Sequence, residues 1–352
     1  MHDTIGTLHD ITSTLADNTP LFLFLGTNSV YAVMNILISG IHGYIGSHLV
    51  ECLSLNHNIY GLSRSTVAIP GVEKIFLWSE LHDTALPQID VIIHLAAEVS
   101  AHNRGHDDNV AHDVSCHLAR QIFDYFTASQ AHTFIHFSSI AAVNDTACDG
   151  VVTENTRPAP STSYALCKGL VENELTRQIP KLTAQGKQLY ILRPSMVYGS
   201  EGRGNLQLLF SFVRKGLPWP LAAFENKRTF TALDNLTFVV TRLLSTPIPS
   251  GIYNVCDDEA LATNDLIIII GEVLGRKVTM WHINKQFIKA LAHIGGWFHL
   301  YLNPMRLSKL TGNLLVSNGK IKQALAIDRM PIEAHEAMKK SIVTMAQQYV
   351  NE

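Results

Sequence analysis

The chain lacks several features that would assign it to particular function classes. Its lysines and arginines form no long run and its formal net charge is only −3. An electrostatic footprint for nucleic acid or an anionic membrane is therefore missing, and no nucleic-acid partner is expected. The five cysteines, Cys52, Cys116, Cys148, Cys167 and Cys256, are widely spaced with no CxxC pair, which fits a reducing compartment better than a disulfide framework. A cytoplasmic location follows. No apolar run approaches the ~20 residues a membrane span needs. Leu21 to Leu25 is short, and Phe287 to Leu302 is interrupted by Lys289, His293, Gly295-Gly296 and His299, which favours a buried or interfacial helix over a spanning one. Histidines are plentiful, and His102 and His106 have the i,i+4 spacing of a metal pair. Gly105 lies between them and no carboxylate is placed as a third ligand, so no metal is expected. Internal repeats and low-complexity tracts are missing as well.

What is present begins at Met34. Residues 1–33 fall outside the pattern that follows, start acidic (Asp3, Asp10) and contain no Lys or Arg, unlike a secretory or mitochondrial leader. They are expected to be a poorly ordered extension, with Met34 as a candidate native start. Beyond it, short apolar runs alternate with helical stretches, the signature of an α/β fold with a doubly wound parallel sheet of Rossmann type. A dinucleotide-binding domain carrying the catalytic residues is expected over 34–200. A smaller C-terminal substrate-binding domain is expected over 201–352, interwoven with late sheet elements.

Asn35-Ile36-Leu37-Ile38-Ser39 is too short for a helix and suits a strand buried on both faces. Gly40, Gly43 and Gly46 follow it. In a strand–turn–helix the first glycine permits the tight turn, the second lets backbone N–H groups approach a pyrophosphate, and the third lets the helix pack closely. The helix from about Ile45 to Leu55 offers its positive end to phosphates. The second strand, Asn58 to Leu62, leads into Ser63-Arg64-Ser65. NAD-selective folds commonly carry an acid here, whereas an arginine accommodates the 2′-phosphate of NADP. Arg64 is either a solvated loop residue or a pointer to NADP(H) over NAD(H).

Further strands are expected at Ile75-Phe76-Leu77, Asp90 to Ala97, Thr133 to Phe137 and up to Arg193-Pro194, with a helix from Val110 to Ser129. The fifth strand delivers Ser138 and Ser139 at the edge where open α/β sheets bind ligands. An irregular loop, Asn144 to Thr162, leads to a helix opening Ser163-Tyr164-Ala165-Leu166-Cys167-Lys168, whose expected apolar face is Leu166, Leu170, Val171 and Leu175. Tyr164 and Lys168, four apart, share a face. An ammonium there would lower the phenol's pKa from about 10 and make it a usable acid or base near neutrality. Later in the chain Asn264 is expected to cap a helix through Val273, and a last helix is expected from Ala334 to Tyr349 with Ala337, Ile342 and Met345 inward.

These motifs together resemble the extended short-chain dehydrogenase/reductase family, of the NAD-dependent epimerase/dehydratase type. GIHGYIG at 40–46, DVIIHLAAE at 90–98, FSSIAAV at 137–143, PSTSYALCK at 160–168 and LRPSMVYG at 192–199 stand in the family's order. The resemblance implies that Tyr164 exchanges a proton with the substrate oxygen while a nicotinamide carries the hydride. Lys168 would hold the cofactor ribose and Ser139 the reacting oxygen, with Ser138 in support. Gly40, Gly43, Tyr44, Ile45, Gly46, Leu95, Ala96, Ala97 and Pro194 would line the dinucleotide alongside Arg64, Tyr164 and Lys168. Ser195, Asn205 and Arg228 would bind substrate, with Asn205 near a diphosphate and Arg228 on it; a surface salt bridge is the other account of Arg228. The family's VYG after the serines is replaced by Val143-Asn144-Asp145. Dehydratases usually carry an Asp-Glu pair where this chain has Ile140-Ala141.

By the same resemblance, the expected activity is reduction of the 4-keto group of a UDP-linked deoxyhexose in polysaccharide biosynthesis. Arg64 and the C-terminal MRLSKLTGNLLVSNGKIKQAL favour it. An NAD-dependent UDP-hexose 4-epimerase is the alternative. A non-catalytic NADP-binding regulator is the alternative of another class, and the intact Tyr164, Lys168 and Ser139 speak against it. The resemblance also implies a homodimer.

Overall fold

The computed structural model describes residues 32–82, 86–96, 108–199, 205–297 and 303–350. The expectations for residues 1–31, for Ala97 and for His102 and His106 lie outside the described residues. The first half of the chain runs β1 (Asn35–Ser39), α1 (Tyr44–Leu53), β2 (Asn58–Ser63), β3 (Lys74–Leu77), β4 (Val91–His94), α2 (Asp108–Ala128), β5 (Thr133–Phe137), β6 (Val151–Val152), α3 (Ser163–Thr176), α4 (Ile179–Ala184) and β7 (Gln188–Pro194). The second half adds β8 (Met196–Tyr198), α5 (Asn205–Arg214), β9 (Arg228–Ala232), α6 (Leu233–Ser245), β10 (Gly251–Val255), β11 (Ala260–Leu261), α7 (Thr263–Val273), α8 (Lys285–Trp297), α9 (Pro304–Thr311), β12 (Leu315–Val316), α10 (Gly319–Leu325) and α11 (Ala334–Val350).

Seven strands form one sheet in the order β10-β7-β5-β4-β1-β2-β3, every pairing parallel. Both of its faces are covered. Because side chains alternate along a strand, Ile36 and Ile38 enter one core with Leu49, Ile93 and Leu236, while Leu37 enters the opposite one with Ile92, Phe126 and Phe134. That is why these strands read as continuous apolar runs. Strand order reverses beside β1: its continuation lies in β2 on one side and in β4 on the other, so a crevice opens at their carboxyl ends.

A separate core lies around the three-stranded sheet β11-β9-β8, where Tyr198, Phe210, Phe230, Ile267, Met338 and Ile342 meet. Strand β10 and helix α10 return to the large sheet, with Val255, Ile321 and Leu325 in its core. The C-terminal half is thus shared between the two cores.

Two local expectations differ from the structure. Helix α3 buries Ala165, Cys167, Lys168, Val171, Glu172 and Leu175, while Leu166 and Leu170 are 47% and 51% exposed. The reason is that two charged residues belong to the inward face. Arg193 of β7 donates from Nε to Glu172 Oε1 at 2.8 Å and from Nη2 to Oε2 at 2.5 Å, and this buried pair satisfies what an apolar contact would otherwise fill. Asn264 is likewise not a cap. It lies inside α7, accepts from Trp219 Nε1 at 2.9 Å and donates to the carbonyls of Ala222 and Phe224. The backbone N–H of Ala262 is met instead by Asp265 at 2.7 Å.

Helix α8 buries Ile288, Ala292 and Gly295. No helix among the described residues is long and apolar enough to cross a membrane.

Candidate active site

The turn after β1 places Gly40 at φ +74°, where a Cβ would lie 2.8 Å from the backbone nitrogen of Ala96. A side chain at Gly46 would fall on the carbonyl of Gly40, and one at Gly43 would lie 3.0 Å from the same oxygen. Backbone therefore packs on backbone throughout the turn, and Gly43 caps the amino end of α1 in extended conformation. The cradle is the shape a diphosphate needs: N–H groups, a helix amino end and no Cβ in the way. Beneath it Ser39 ties the two central strands together. Its hydroxyl accepts from the N–H of Leu95 at 3.3 Å and of Ala96 at 3.4 Å, and lies 2.6 Å from His94 Nδ1.

Across the crevice, β5 ends in Ser138 and Ser139. Ser138 is buried and its hydroxyl has no hydrogen-bond partner among the described residues. Ser139 accepts from the N–H of Ala141 at 3.2 Å, holding the turn at 140–142, and lines the same cavity as Tyr164. Asp145, in the loop that departs from the family pattern, fixes the start of α3. It accepts from the N–H and hydroxyl of Thr162 at 2.8 and 2.6 Å and from the hydroxyl of Ser161 at 2.8 Å. Thr162 in turn caps α3 by accepting from the N–H of Ala165. Tyr164 is thereby anchored in the first turn of a capped helix. Burial presses the Asp145 pKa upward, but the hydrogen bonds from Thr162 and Ser161 outweigh it and hold the carboxylate below its ordinary value.

Lys168 is buried, donates to the carbonyl of Phe137 at 2.8 Å, and has its Nζ 5.9 Å from the centre of the Tyr164 ring. Desolvation lowers its pKa. The phenol is not depressed as the spacing suggested: burial raises the Tyr164 pKa, and the hydrogen bond with Ser139 opposes that rise. With 38% of the residue accessible, solvent screens part of the upward pressure. At this distance, and with the ammonium engaged on a carbonyl, the charge of Lys168 does not overcome it. Behind Lys168, His94 and His136 stack at 5.3 Å. Burial first, and the Lys168 charge second, lower both imidazoles, His94 to about 3. They are neutral at neutral pH and add no second cation beside the lysine.

One cavity of about 620 Å³ joins these parts. It is lined by Gly40, Gly43, Tyr44, Ile45, Gly46, Arg64, Leu95, Ala96 and Pro194 on the sequence-predicted cofactor side, and by Ser138, Ser139, Tyr164, Lys168 and Ser195 on the other. Ser195 reaches it with its hydroxyl already shared with Thr231 Oγ1 at 2.8 Å. Asn205 opens α5, and its side chain lies outside what is described. Arg228 is elsewhere. Its guanidinium donates to the carbonyls of Lys309 at 2.8 Å and Gly312 at 3.4 Å, and it lines a separate small cavity with Leu206, Phe230 and Met338. Among the described residues its hydrogen-bond partners are these carbonyls at the C-terminal end of α9, which no local pattern announces, and not a carboxylate. His42 and Trp78 also line the main cavity and were not singled out in the sequence. His42 sits within the glycine motif, and its ring nitrogens meet Ser63 Oγ at 3.0 Å and the carbonyl of Val67 at 2.9 Å. Trp78 carries no sequence signal. Among the described residues, no group of three or more His, Cys, Asp or Glu side chains could hold a metal ion.

With the glycine cradle and the Ser139, Tyr164 and Lys168 cluster facing one crevice, the match to a family model becomes interpretable. Residues 36–256 match the model described as the NAD dependent epimerase/dehydratase family. The chain belongs to that family. Within it, the chain is 25% identical over 305 residues to an Escherichia coli O157:H7 protein named N-acetyl-alpha-D-glucosaminyl-diphospho-ditrans,octacis-undecaprenol 4-epimerase, covering 83% of this chain and 86% of that one. It is 24% identical over 313 residues to a UDP-glucose 4-epimerase of Vibrio cholerae, covering 83% and 89%. Among solved structures, a UDP-N-acetylglucosamine 4-epimerase from Methanobrevibacter ruminantium M1 superposes with a TM-score of 0.69 at 16% identity, over 90% of this chain and all of the other. A UDP-glucuronic acid 4-epimerase from Bacillus cereus in complex with NAD superposes at 0.67 with 19% identity, over 90% and 100%. The family supports the Rossmann-type fold and a nicotinamide dinucleotide as cofactor.

Proposed function

We propose that this chain is a 4-epimerase acting on a hexose carried by a diphosphate, and that Tyr164, Ser139 and Lys168 are its catalytic residues. The observation that carries this reading is that Ser139, Tyr164 and Lys168 line the same cavity as the glycine cradle. Gly40, Gly43, Gly46 and the amino end of α1 would hold the pyrophosphate; Leu95, Ala96, Pro194 and Lys168 would bracket the nicotinamide riboside. A nicotinamide held there would supply hydride acceptance and return at C4. Tyr164 takes the C4 hydroxyl proton as the carbon is oxidised and gives it back on reduction, while Ser139 holds the same oxygen in both directions. If the hydride returns to the opposite face, C4 is inverted. Epimerisation is the named activity of both curated relatives above.

Net reduction of a 4-keto sugar is the second reading, and Arg64 favours it. β2 ends in Ser63 and is followed by Arg64-Ser65 with no acid, a composition suited to the extra phosphate of NADP(H). An exchangeable NADP(H) serves a reductase, and a retained NAD serves an epimerase. Purified protein is expected to release stoichiometric NAD only on denaturation. A protein that instead arrives without dinucleotide, binds NADPH over NADH, and loses that preference about tenfold in Arg64→Ala would be the reductase.

The same reading includes a nucleotide-sugar substrate in polysaccharide biosynthesis, a cytoplasmic setting and a homodimer. Five free cysteines suit the reducing compartment. Leu166 and Leu170 of α3, side by side and half-exposed, with Val114 of α2 at 36%, offer an apolar face for a second copy. Light scattering is expected to give the dimer mass, and a monomer at micromolar concentration would remove that part.

A further inference from the structure

Helix α8 has more exposed apolar surface than a protein-facing helix needs. Ile288, Ala292 and Gly295 account for its contact with the body of the protein. Phe287, Leu291 and Ile294 form a second stripe at i, i+4 and i+7, exposed by 57%, 40% and 52%. Nearby in the chain, Trp281 is 50% exposed, Trp297 85% and Met305 68%. Exposed aromatic and aliphatic side chains concentrated in one segment mark an interaction surface.

The charge of the same segment says what kind. From Val273 to Ile327 there are eight Lys and Arg and no Asp or Glu; the remainder of the chain has 19 Lys and Arg against 30 Asp and Glu, the totals being 27 and 30. The chain carries no run of basic residues, yet its positive charge is segregated. Lys322 is taken up by Asp258, but Lys285 and Lys289 are exposed on α8. With His293 they line a cleft of about 420 Å³ beside α9, in which Glu225 is the acidic side chain. A second copy meeting this face across a two-fold axis would bring like charges together, since an isologous contact pairs a patch with itself. An anionic surface would not. An apolar stripe bearing Phe, Leu and Trp on a helix with lysines on another face is the pattern of a helix lying in a lipid interface, with Trp at headgroup level.

We propose that α8 is a membrane-surface helix that docks the enzyme on an anionic phospholipid bilayer through Phe287, Leu291 and Ile294, with Lys285 and Lys289 drawn by the headgroups. At 13 residues it lies on the bilayer and does not span it. This goes beyond the catalytic proposal and does not rest on it: docking is independent of which sugar or dinucleotide the cleft takes.

The test is co-sedimentation of the full chain with vesicles of phosphatidylglycerol and phosphatidylcholine, against phosphatidylcholine alone. Binding is expected to the anionic vesicles only, and to weaken with salt. The double variant Phe287→Glu/Ile294→Glu is expected to lose binding at least tenfold. Lys285→Gln/Lys289→Gln, at exposed positions where folding is not at stake, is expected to weaken partition about fivefold per lysine removed at low salt. No sedimentation above the phosphatidylcholine control would overturn the proposal. So would undiminished binding in both variants, or a Phe287→Glu/Ile294→Glu protein that keeps vesicle binding and changes only its oligomeric state, which would give the stripe to a second copy.

Discussion

Tyr164→Phe is expected to lower turnover by about two orders of magnitude or more, the size of a lost general acid–base group, while dinucleotide affinity stays nearly unchanged. The substitution removes one oxygen and leaves the ring, which stands in the cleft in the first turn of a helix capped by Thr162 and braced by Asp145. Fold and cofactor cradle should not notice. The phenol oxygen is lost from the cavity wall, while Ser139 keeps the N–H of Ala141. Steady-state kinetics on UDP-glucose and UDP-N-acetylglucosamine, with fluorescence titration of the dinucleotide, separates the two effects. Unchanged turnover would remove Tyr164 from the chemistry; lost dinucleotide affinity would make its role binding instead.

Glu172→Ala is expected to destabilise the protein by about 3–5 kcal/mol, because it strands a guanidinium that was taken out of water only in company. Arg193 and Glu172 are 5% and 3% exposed at their side chains and meet through two parallel hydrogen bonds. Arg193 Nη1 already lacks a partner among the described residues, so nothing stands ready to replace the carboxylate. Denaturant titration should show the midpoint falling with little change in slope. Replacing both residues together by methionine should cost much less, since the penalty belongs to the unpaired charge. A small loss in Glu172→Ala would mean that water reaches the pair. The pair also bears on the site: Glu172 lies one turn beyond Lys168 on α3, and Arg193 directly precedes Pro194 of the cavity wall. Loosening it should disturb cofactor binding before the chain unfolds.

The Tyr164 site and the Glu172–Arg193 pair differ in how far a local sequence pattern reports them. Tyr164 and Lys168 are spaced for one helix face, and helical periodicity alone brings them together. Gly40, Gly43 and Gly46 announce a turn too tight for side chains, and backbone contacts at Ala96, Gly40 and Ile41 are what make it so. Local geometry decides such features, so a local pattern reports them. The pairing of Glu172 with Arg193 spans a helix and a strand 21 residues apart, and the periodic apolar reading of α3 picked Leu166 and Leu170 in its place. Arg228 shows the same limit. Its partners are carbonyls more than eighty positions away, and no spacing rule reaches that far.

By itself, the sequence determined the doubly wound sheet, the glycine turn after β1, and the helix that carries Tyr164 and Lys168, because strand and helix periods and glycine sterics act over a few residues. Tertiary structure alone decided which charges are buried together, that the phenol is pushed up despite the nearby ammonium, and that scattered lysines stand on a helix with an exposed apolar stripe. Those outcomes depend on desolvation and on distances between remote segments, which exist only once the chain has packed.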